Sequence, residues 1–568
     1  SPRFVMDSAG LWANERNQAG KPRRRFIVEP FKVLALVRDP TAAGWGLLLE
    51  ISDPDGRPHR VTIPHGSLKG EGVEALAVLL DRGCVPRMGA DRLLIEYLRE
   101  QKPTARARVV DRCGWHGPVF VLPDRTVGDE GEPFIYSGPP GASQFRVQGT
   151  LDQWKAEVAA RCVGNSRLVF AVSVAVAAPL LALAGVEGGG FHYRGASSDG
   201  KSTLLRVAAS AAGPPESAGR WKATSNALEA FASQHSDCVA TLDELAQIDP
   251  KEAGDTAYLL ANGAGKARAS QTGAARPRAT WRLLFQSAGE VGLVEHLAEA
   301  GRRAKAGQEL RLAEIPADAG AGFGCFEDLH GAANGSDFAK ELDQATRRYY
   351  GAAWLAYLER LVQERDHLPD WLAGFAKRFE ARCLTAAAEG QARRVAARFA
   401  LAGAAGELAS DWGITGWPAG TALEAAERCF RDWLGNRGGA GNSEERTVLR
   451  QVREFLRRYG ESAFSDWDRP AVDGDTRAAV RSDRVGYRKT LPGDEGIEFF
   501  IFVEMWNARV CSGLDPKRAG RLLVDRGYCE RAKEADRPYT VRVTLPSEGR
   551  ARVVHILPSI FEGGAGDD

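Results

Sequence analysis

The chain has 568 residues, 44% hydrophobic and 26% charged, with 13 tryptophans and 23 phenylalanines. At roughly 150 residues per domain it is too long for one ordinary core, and the composition excludes global disorder, collagen and coiled coil. Lys+Arg 75 against Asp+Glu 74 leaves a net charge of +1, so a nucleic-acid or membrane partner has to be met by a local patch.

Ser1-Pro2-Arg3 is neither a secretory leader nor a natural start, so a fragment of a longer protein is expected, with a primase-like segment or partner upstream. Four domains are expected: a mixed α+β domain over 1–150, an α/β core over 151–335, a helical connector over 336–440 and a last domain over 441–568. In the first, apolar runs at 31–37, 46–51 and 61–64 predict strands, with Asp53-Pro54-Asp55-Gly56 as a turn. Helical spacing follows at Val73–Asp81 and Ala90–Gln101. Cys113-Gly114-Trp115-His116 has no second cysteine nearby and reads as packed core rather than a metal site or a nucleophile. Nine cysteines without a CxxC support neither a disulfide scaffold nor a zinc ribbon, and a bacterial cytoplasm is expected.

The core opens with an uncharged run, Leu168–Val186, close to the ~20 residues a membrane span needs. Six of its residues are Ala, Pro179 interrupts it, and it leads toward a phosphate-binding motif, so it reads as a buried helix and no membrane partner is expected. Gly195-Ala196-Ser197-Ser198-Asp199-Gly200-Lys201-Ser202, followed by Thr203, satisfies GxxxxGK[ST] between a strand at 190–194 and a helix at 204–212. The glycines let backbone N–H groups wrap anionic oxygens. Lys201 reaches the β/γ-phosphates, and the Ser202 hydroxyl is placed for Mg²⁺. Cys238–Leu242 is an apolar strand that ends in Asp243 and Glu244, a metal-holding carboxylate and a general base for water. A further strand, Trp281–Phe285, ends in Gln286-Ser287. There Ser287 either orients the water or senses the γ-phosphate, or the pair caps a helix start. No guanine-specifying Asn-Lys-x-Asp run is present, which favours ATP.

These segments resemble the "domain of unknown function 927" proteins of bacterial and phage-related mobile elements, related to superfamily three and poxvirus-type primase-helicases among the AAA+ ATPases. The resemblance runs over about residues 25 to 360. It is carried by Trp45-Gly46, Gly114-Trp115-His116, Phe120–Asp124, Gly164-Asn165-Ser166-Arg167, the phosphate motif, Trp221–Asn226, Leu242–Leu245, Leu260–Arg268 and Ser287–Glu290. Ala288, where Thr or Ser is expected, departs from the pattern and weakens the sensor role of Ser287. The resemblance implies a homo-oligomeric ring, a hexamer, that threads single-stranded or forked DNA through its centre using ATP and Mg²⁺. Lys266 and Arg268, on a Gly-flanked loop before the Ser287 strand, would then grip DNA phosphates; alternatively they are solvent-facing surface cations. An arginine finger acting on the neighbouring copy is expected from Arg303 or Arg311, with Arg302 a further candidate.

Gly435–Gly441 reads as a flexible break. Beyond it the order helix (444–459), strands (485–502), helix (503–511), helix (515–526) and ribbon is that of a winged helix, with Asp515 as the cap and Pro516 in the first turn. Lys517, Arg518 and Arg521 cluster on its recognition helix as DNA-binding candidates, although such modules also serve protein contacts. The expected whole is an α/β protein: an AAA+ P-loop ATPase core, a mixed α+β N-terminal collar or substrate-loading domain, a helical region and a C-terminal winged helix. The leading function is an ATP-driven DNA helicase or translocase of a mobile element or prophage. The alternatives are an AAA+ switch or defence ATPase that remodels protein with DNA as trigger, and a DNA-binding scaffold with a vestigial nucleotide site.

Overall fold

The computed structural model describes residues 2–16, 20–138, 142–266, 278–385, 388, 390–437, 443–468, 484–532, 538–546 and 548–562. The chain forms two compact units, one of Ser1–Arg382 with Ala396–Phe430, the other of Cys383–Val395 with Arg431–Asp568.

The first unit begins with a three-stranded antiparallel sheet, Phe4–Asp7, Gly10–Arg16 and Pro22–Val28. Sequence reading does not anticipate it, because the basic run Arg23-Arg24-Arg25 masks the period-2 pattern that the register reveals. Trp12 and Phe26 are cross-strand partners on one face, while Leu11, Ala13 and Ile27 are buried. A mixed five-stranded sheet follows in the order Phe134–Tyr136, Arg106–Val110, Lys32–Arg38, Gly46–Ser52, Pro58–Pro64. Its expected turn forms for a local reason. The Asp53 carboxylate accepts from the N–H groups of Asp55 and Arg57 at 3.0 and 2.8 Å, and Gly56 takes φ 77. The helices lie at Val73–Asp81 and Asp91–Glu100.

The centre is a five-stranded, wholly parallel sheet in the order Gly219–Arg220, Val239–Asp243, Leu284–Gly289, Gly189–Arg194, Leu312–Pro316. Helix Ser166–Ala177, continued by shorter turns to Ala184, is long and apolar enough to cross a membrane, yet 83% of that stretch is buried inside the fold. It lies against the sheet: Phe170 meets Phe191 edge-on at 5.0 Å, and Gln286 donates to the Ala171 carbonyl at 2.9 Å. Five long helices follow, Gly335–Arg348, Ala352–Glu364, Leu368–Cys383, Gly390–Asp411 and Thr421–Asn436.

The second unit contains helix Ser443–Tyr459 and a sheet ordered Phe464–Asp466, Gly486–Thr490, Ile497–Phe502, Gly549–Ile556, Val541–Leu545. The helix expected at 503–511 is one α-helical turn, Val503–Met505, that widens into a π-helical turn, Trp506–Val510. Helix Pro516–Asp525 is capped by the Asp515 carboxylate, which accepts from the Lys517 and Arg518 N–H groups. The break expected at 435–441 and the ribbon turn at Ser547 lie largely outside the described residues.

One buried charge joins the early sheets to the core. Asp237, fully buried at φ 58, accepts two 2.6 Å bonds from the Arg282 guanidinium and one of 3.0 Å from the Trp115 N–H. A Cβ at Gly114 would lie 2.3 Å from that carboxylate, so the close approach needs glycine. Trp115 is itself core, its indole donating to the Pro179 carbonyl at 2.8 Å.

Asp237→Ala leaves the buried Trp115 N–H and the part-exposed Arg282 without their acceptor, and chemical denaturation should show a loss of about 1–3 kcal/mol. Two core histidines set an acid limit. Burial holds His192 and His235 down to about 4, whereas an exposed imidazole titrates at 6.5. The unfolded chain therefore takes up protons first as pH falls. Their contribution is complete above pH 6.5 and declines toward pH 4, by about 3 kcal/mol per histidine, measurable as unfolding free energy against pH.

Candidate functional site

In an open parallel sheet, ligands sit at the carboxyl ends of the strands, where the order reverses. Strand Gly189–Arg194 is such a point, flanked by Leu284–Gly289 on one side and Leu312–Pro316 on the other. The Gly195–Gly200 loop leaves its carboxyl end and feeds helix Lys201–Ser210. Ser198 at φ 70 and Gly200 at φ 83 turn the backbone left-handed there, and the loop is anchored as Gly195 N–H donates to the Gly289 carbonyl at 3.2 Å. Lys201, 9% exposed, folds back so that Nζ donates to the carbonyls of Gly195, at 3.0 Å, and Ala196. Ser197 and Asp199 complete the turn, and Thr203 is buried beneath it.

Strand Val239–Asp243 is not the loop strand's neighbour; Leu284–Gly289 lies between them. Its tip nevertheless reaches the loop. Ser202 Oγ donates to Asp243 Oδ2 at 2.9 Å, joining two segments 41 residues apart. Asp243 Oδ1 accepts from the Glu244 N–H at 3.0 Å, and Glu244 adopts φ 63, ψ 72. A non-glycine residue in that region costs of order 1–3 kcal/mol, and such strain clusters at functional sites. It turns the Glu244 side chain away from the direction the strand would impose. A serine hydroxyl beside a carboxylate is an oxygen donor pair of the kind that suits Mg²⁺.

Ser287 is placed otherwise than expected. The strand runs Leu284–Gly289, so Ser287 lies inside it, fully buried, and neither ends the strand nor caps a helix. Its hydroxyl accepts from Trp221 Nε1 at 2.8 Å and meets His192 Nδ1 at 2.9 Å. Because His192 Nε2 lies 3.0 Å from the Val291 carbonyl and donates to it, Nδ1 accepts from Ser287. Its single proton is committed to His192 within the core, so the hydroxyl has none to donate to water or phosphate. Trp221 also donates its backbone N–H to the Asp243 carbonyl at 3.2 Å, so this cluster steadies the acidic tip from below. Sequence reading passed over His192. A lone imidazole in the strand Gly-Gly-Phe-His-Tyr-Arg was the available signal, since a buried polar group needs partners.

Of the arginine candidates, Arg311 lies at the other end of the sheet. Arg311 precedes Leu312, which pairs with Gly190, roughly 16 Å of strand from the loop. It is tied within its own chain, 3.3 Å from Glu187 and over the Tyr258 ring. Arg303 is exposed, and Arg302 donates to the Lys251 carbonyl at 2.8 Å. Lys266 stands just inside an excursion of the chain that leaves and returns at the isolated bridge between Ala264 and Thr280, its Nζ donating to Ser225 Oγ at 3.0 Å. Arg268 lies outside the described residues. In the second unit, Lys517, Arg518 and Arg521 are exposed at i, i+1 and i+4 of one helix.

The solved structure of "SCCmec type IV Cch - active helicase" matches this chain with a TM-score of 0.73 at 17% identity, covering 99% of each chain. At that identity the likeness is one of fold. No curated protein matches. The model of the family "Domain of unknown function (DUF927)" matches residues 4–280, a span that starts earlier and stops earlier than the motifs suggest. It takes in the phosphate-loop motif and the Asp243-Glu244 tip and ends before the Leu284–Gly289 strand. Over residues 4–280, a little under half of its length, the chain is thus similar to the DUF927 family.

Proposed function

We propose that this protein is an ATP-hydrolysing, ring-forming DNA helicase or translocase of a mobile element, with an AAA+ core and a C-terminal winged helix. The observation that carries the reading is the 2.9 Å bond between Ser202 and Asp243 at the carboxyl edge of a parallel sheet. It brings a phosphate-wrapping loop and a paired-carboxylate tip to one place. The likeness to a solved helicase over 99% of both chains supports it.

In this reading the N–H groups of Gly195–Lys201 and the amino end of helix Lys201–Ser210 receive the β- and γ-phosphates of ATP. Lys201 exchanges its carbonyl partners for phosphate oxygens, a charge-assisted and therefore stronger bond. Ser202 and Asp243 hold Mg²⁺, which when bound neutralises phosphate charge. Glu244, turned out of the strand direction, accepts a proton from the attacking water. Arg311, remote from the loop of its own chain, and the exposed Arg303 serve the site of the adjacent copy in a hexamer. The excursion carrying Lys266 and Arg268 has Lys266, Arg268, Arg276 and Arg278 and no acidic residue between 263 and 280, a charge pattern suited to gripping DNA phosphates without reading bases.

Lys201→Ala should abolish binding of ATP, and Glu244→Gln should retain binding while kcat falls by about 100-fold or more; steady-state hydrolysis with a separate nucleotide-binding measurement checks both. Unwinding of forked DNA by the wild type, absent in Glu244→Gln, tests the helicase reading, and ATPase activity without unwinding would replace it with a nucleotide switch. Replacing Lys517, Arg518 and Arg521 together by Ala should flatten the slope of log K against log salt for single-stranded DNA by about 2. An unchanged slope removes that helix from the interface.

A further inference from the structure

The Gly164-Asn165-Ser166-Arg167 motif has no part in the chemistry proposed above, yet the side chains of Asn165 and Arg167 are buried and hydrogen-bonded. Asn165 stands at the N-cap of helix Ser166–Ala177 and does not cap it. Its amide reaches across to a segment more than 160 residues on. Oδ1 accepts from the N–H groups of Glu327 at 2.7 Å and Asp328 at 3.1 Å, and Nδ2 donates to the Asp328 carbonyl at 2.8 Å. In return, the Glu327 carboxylate accepts from the Ser166 N–H at 2.5 Å and so caps the helix in place of Asn165. Arg167, 1% exposed, donates to the carbonyls of Pro316 at 3.0 Å and Asp318 at 3.3 Å. Arg428 secures the middle, donating to the Ala319 carbonyl at 2.7 Å and pairing with Glu327 at 3.1 Å.

The segment held at both ends is the floor of the phosphate loop. Ala317 N–H donates to the Arg194 carbonyl at 2.7 Å, and Cys325 N–H donates to the Asp199 carbonyl at 2.8 Å. Three glycines mark how closely the surfaces meet. A Cβ at Gly195 would lie 2.8 Å from Ala317, one at Gly200 2.7 Å from the Phe326 ring, and one at Gly324 2.5 Å from the Asp199 carbonyl oxygen. Gly324 also sits at φ 64. The loop's curvature is thus set against a surface whose own position is set by Asn165 and Arg167.

We infer that Asn165 and Arg167 are positioning residues, which shape the Gly195–Gly200 loop for triphosphate by pinning residues 316–328 beneath it. The inference rests on the reading of that loop as the ATP site. An ordinary helix cap would stabilise the fold and leave nucleotide affinity alone. A buried amide bridging two backbone segments instead transmits its loss to whatever those segments support.

The test measures binding of ATPγS, KM and kcat for ATP, the melting temperature, and hydrogen–deuterium exchange of the loop in the full-length protein. Asn165→Ala and Gly324→Ala should each weaken ATPγS binding and raise KM by about 10-fold, the size expected for one unsatisfied buried group. kcat at saturation should stay within about twofold, and exchange over 195–200 should rise. Arg167→Lys, which keeps the charge and loses the two-carbonyl reach, serves if Asn165→Ala fails to fold. Asp53→Ala removes a purely local acceptor, the carboxylate that closes its turn on the Asp55 and Arg57 N–H groups at 3.0 and 2.8 Å, and should lower the melting temperature without moving KM or loop exchange. If the Asn165 and Gly324 variants behave like Asp53→Ala, the inference is overturned. If wild type and Lys201→Ala bind ATPγS alike, the reading of the site fails instead, and loop exchange still decides whether residues 316–328 govern the loop.

Discussion

The hydrogen bond from Ser202 to Asp243 is the constraint around which the core is arranged. Two segments distant in sequence, on strands that are not neighbours, have to end at one point, and only a particular strand order allows it. Placing Leu284–Gly289 between the loop strand and the acidic strand separates them by one strand on either side, roughly 5 Å each.

On the reading proposed for it, such a site has to be stiff, because its oxygens and N–H groups would face a highly charged ligand with little rearrangement. The stiffness comes from three sides. Beneath the acidic tip, Trp221, Ser287 and His192 form a chain of satisfied buried hydrogen bonds. Beneath the loop, residues 316–328 are gripped by the start of helix Ser166–Ala177. At the opposite end of the same strands, Asp237 neutralises Arg282 and ties in the backbone of Trp115. Each is a polar interaction in a low-dielectric interior, where satisfied partners rigidify and a lost partner is costly.

Much of the fold was legible. Asp53-Pro54-Asp55-Gly56, the helices at Val73–Asp81 and Asp91–Glu100, the helical region after 335 and the helix begun by Asp515-Pro516 all announce themselves through local rules of turn, period and cap. The Gly195–Ser202 motif and the Asp243-Glu244 tip were equally plain, since wrapping phosphate and ending an apolar strand in carboxylates are requirements of neighbouring residues. The first three strands were not, because a basic run on an exposed face hides alternation until the partner strand is known.

Ser287 shows where local reading stops. As a polar residue after an apolar run it looked like a strand end facing the ligand. Register made it an interior position, because the partner strand Gly189–Arg194 continues alongside it to Gly289. Asn165 shows the same limit: by type and place it is a helix cap, and its true partners lie more than 160 residues away. The glycine-rich turn, the acidic tip and the helical periods follow from residues within a few positions of one another, so the amino-acid order suffices to locate them. Whether a given serine, asparagine or histidine faces ligand or core depends on which strand lies beside it and which segment passes beneath it, and that is settled when distant parts of the chain pack together.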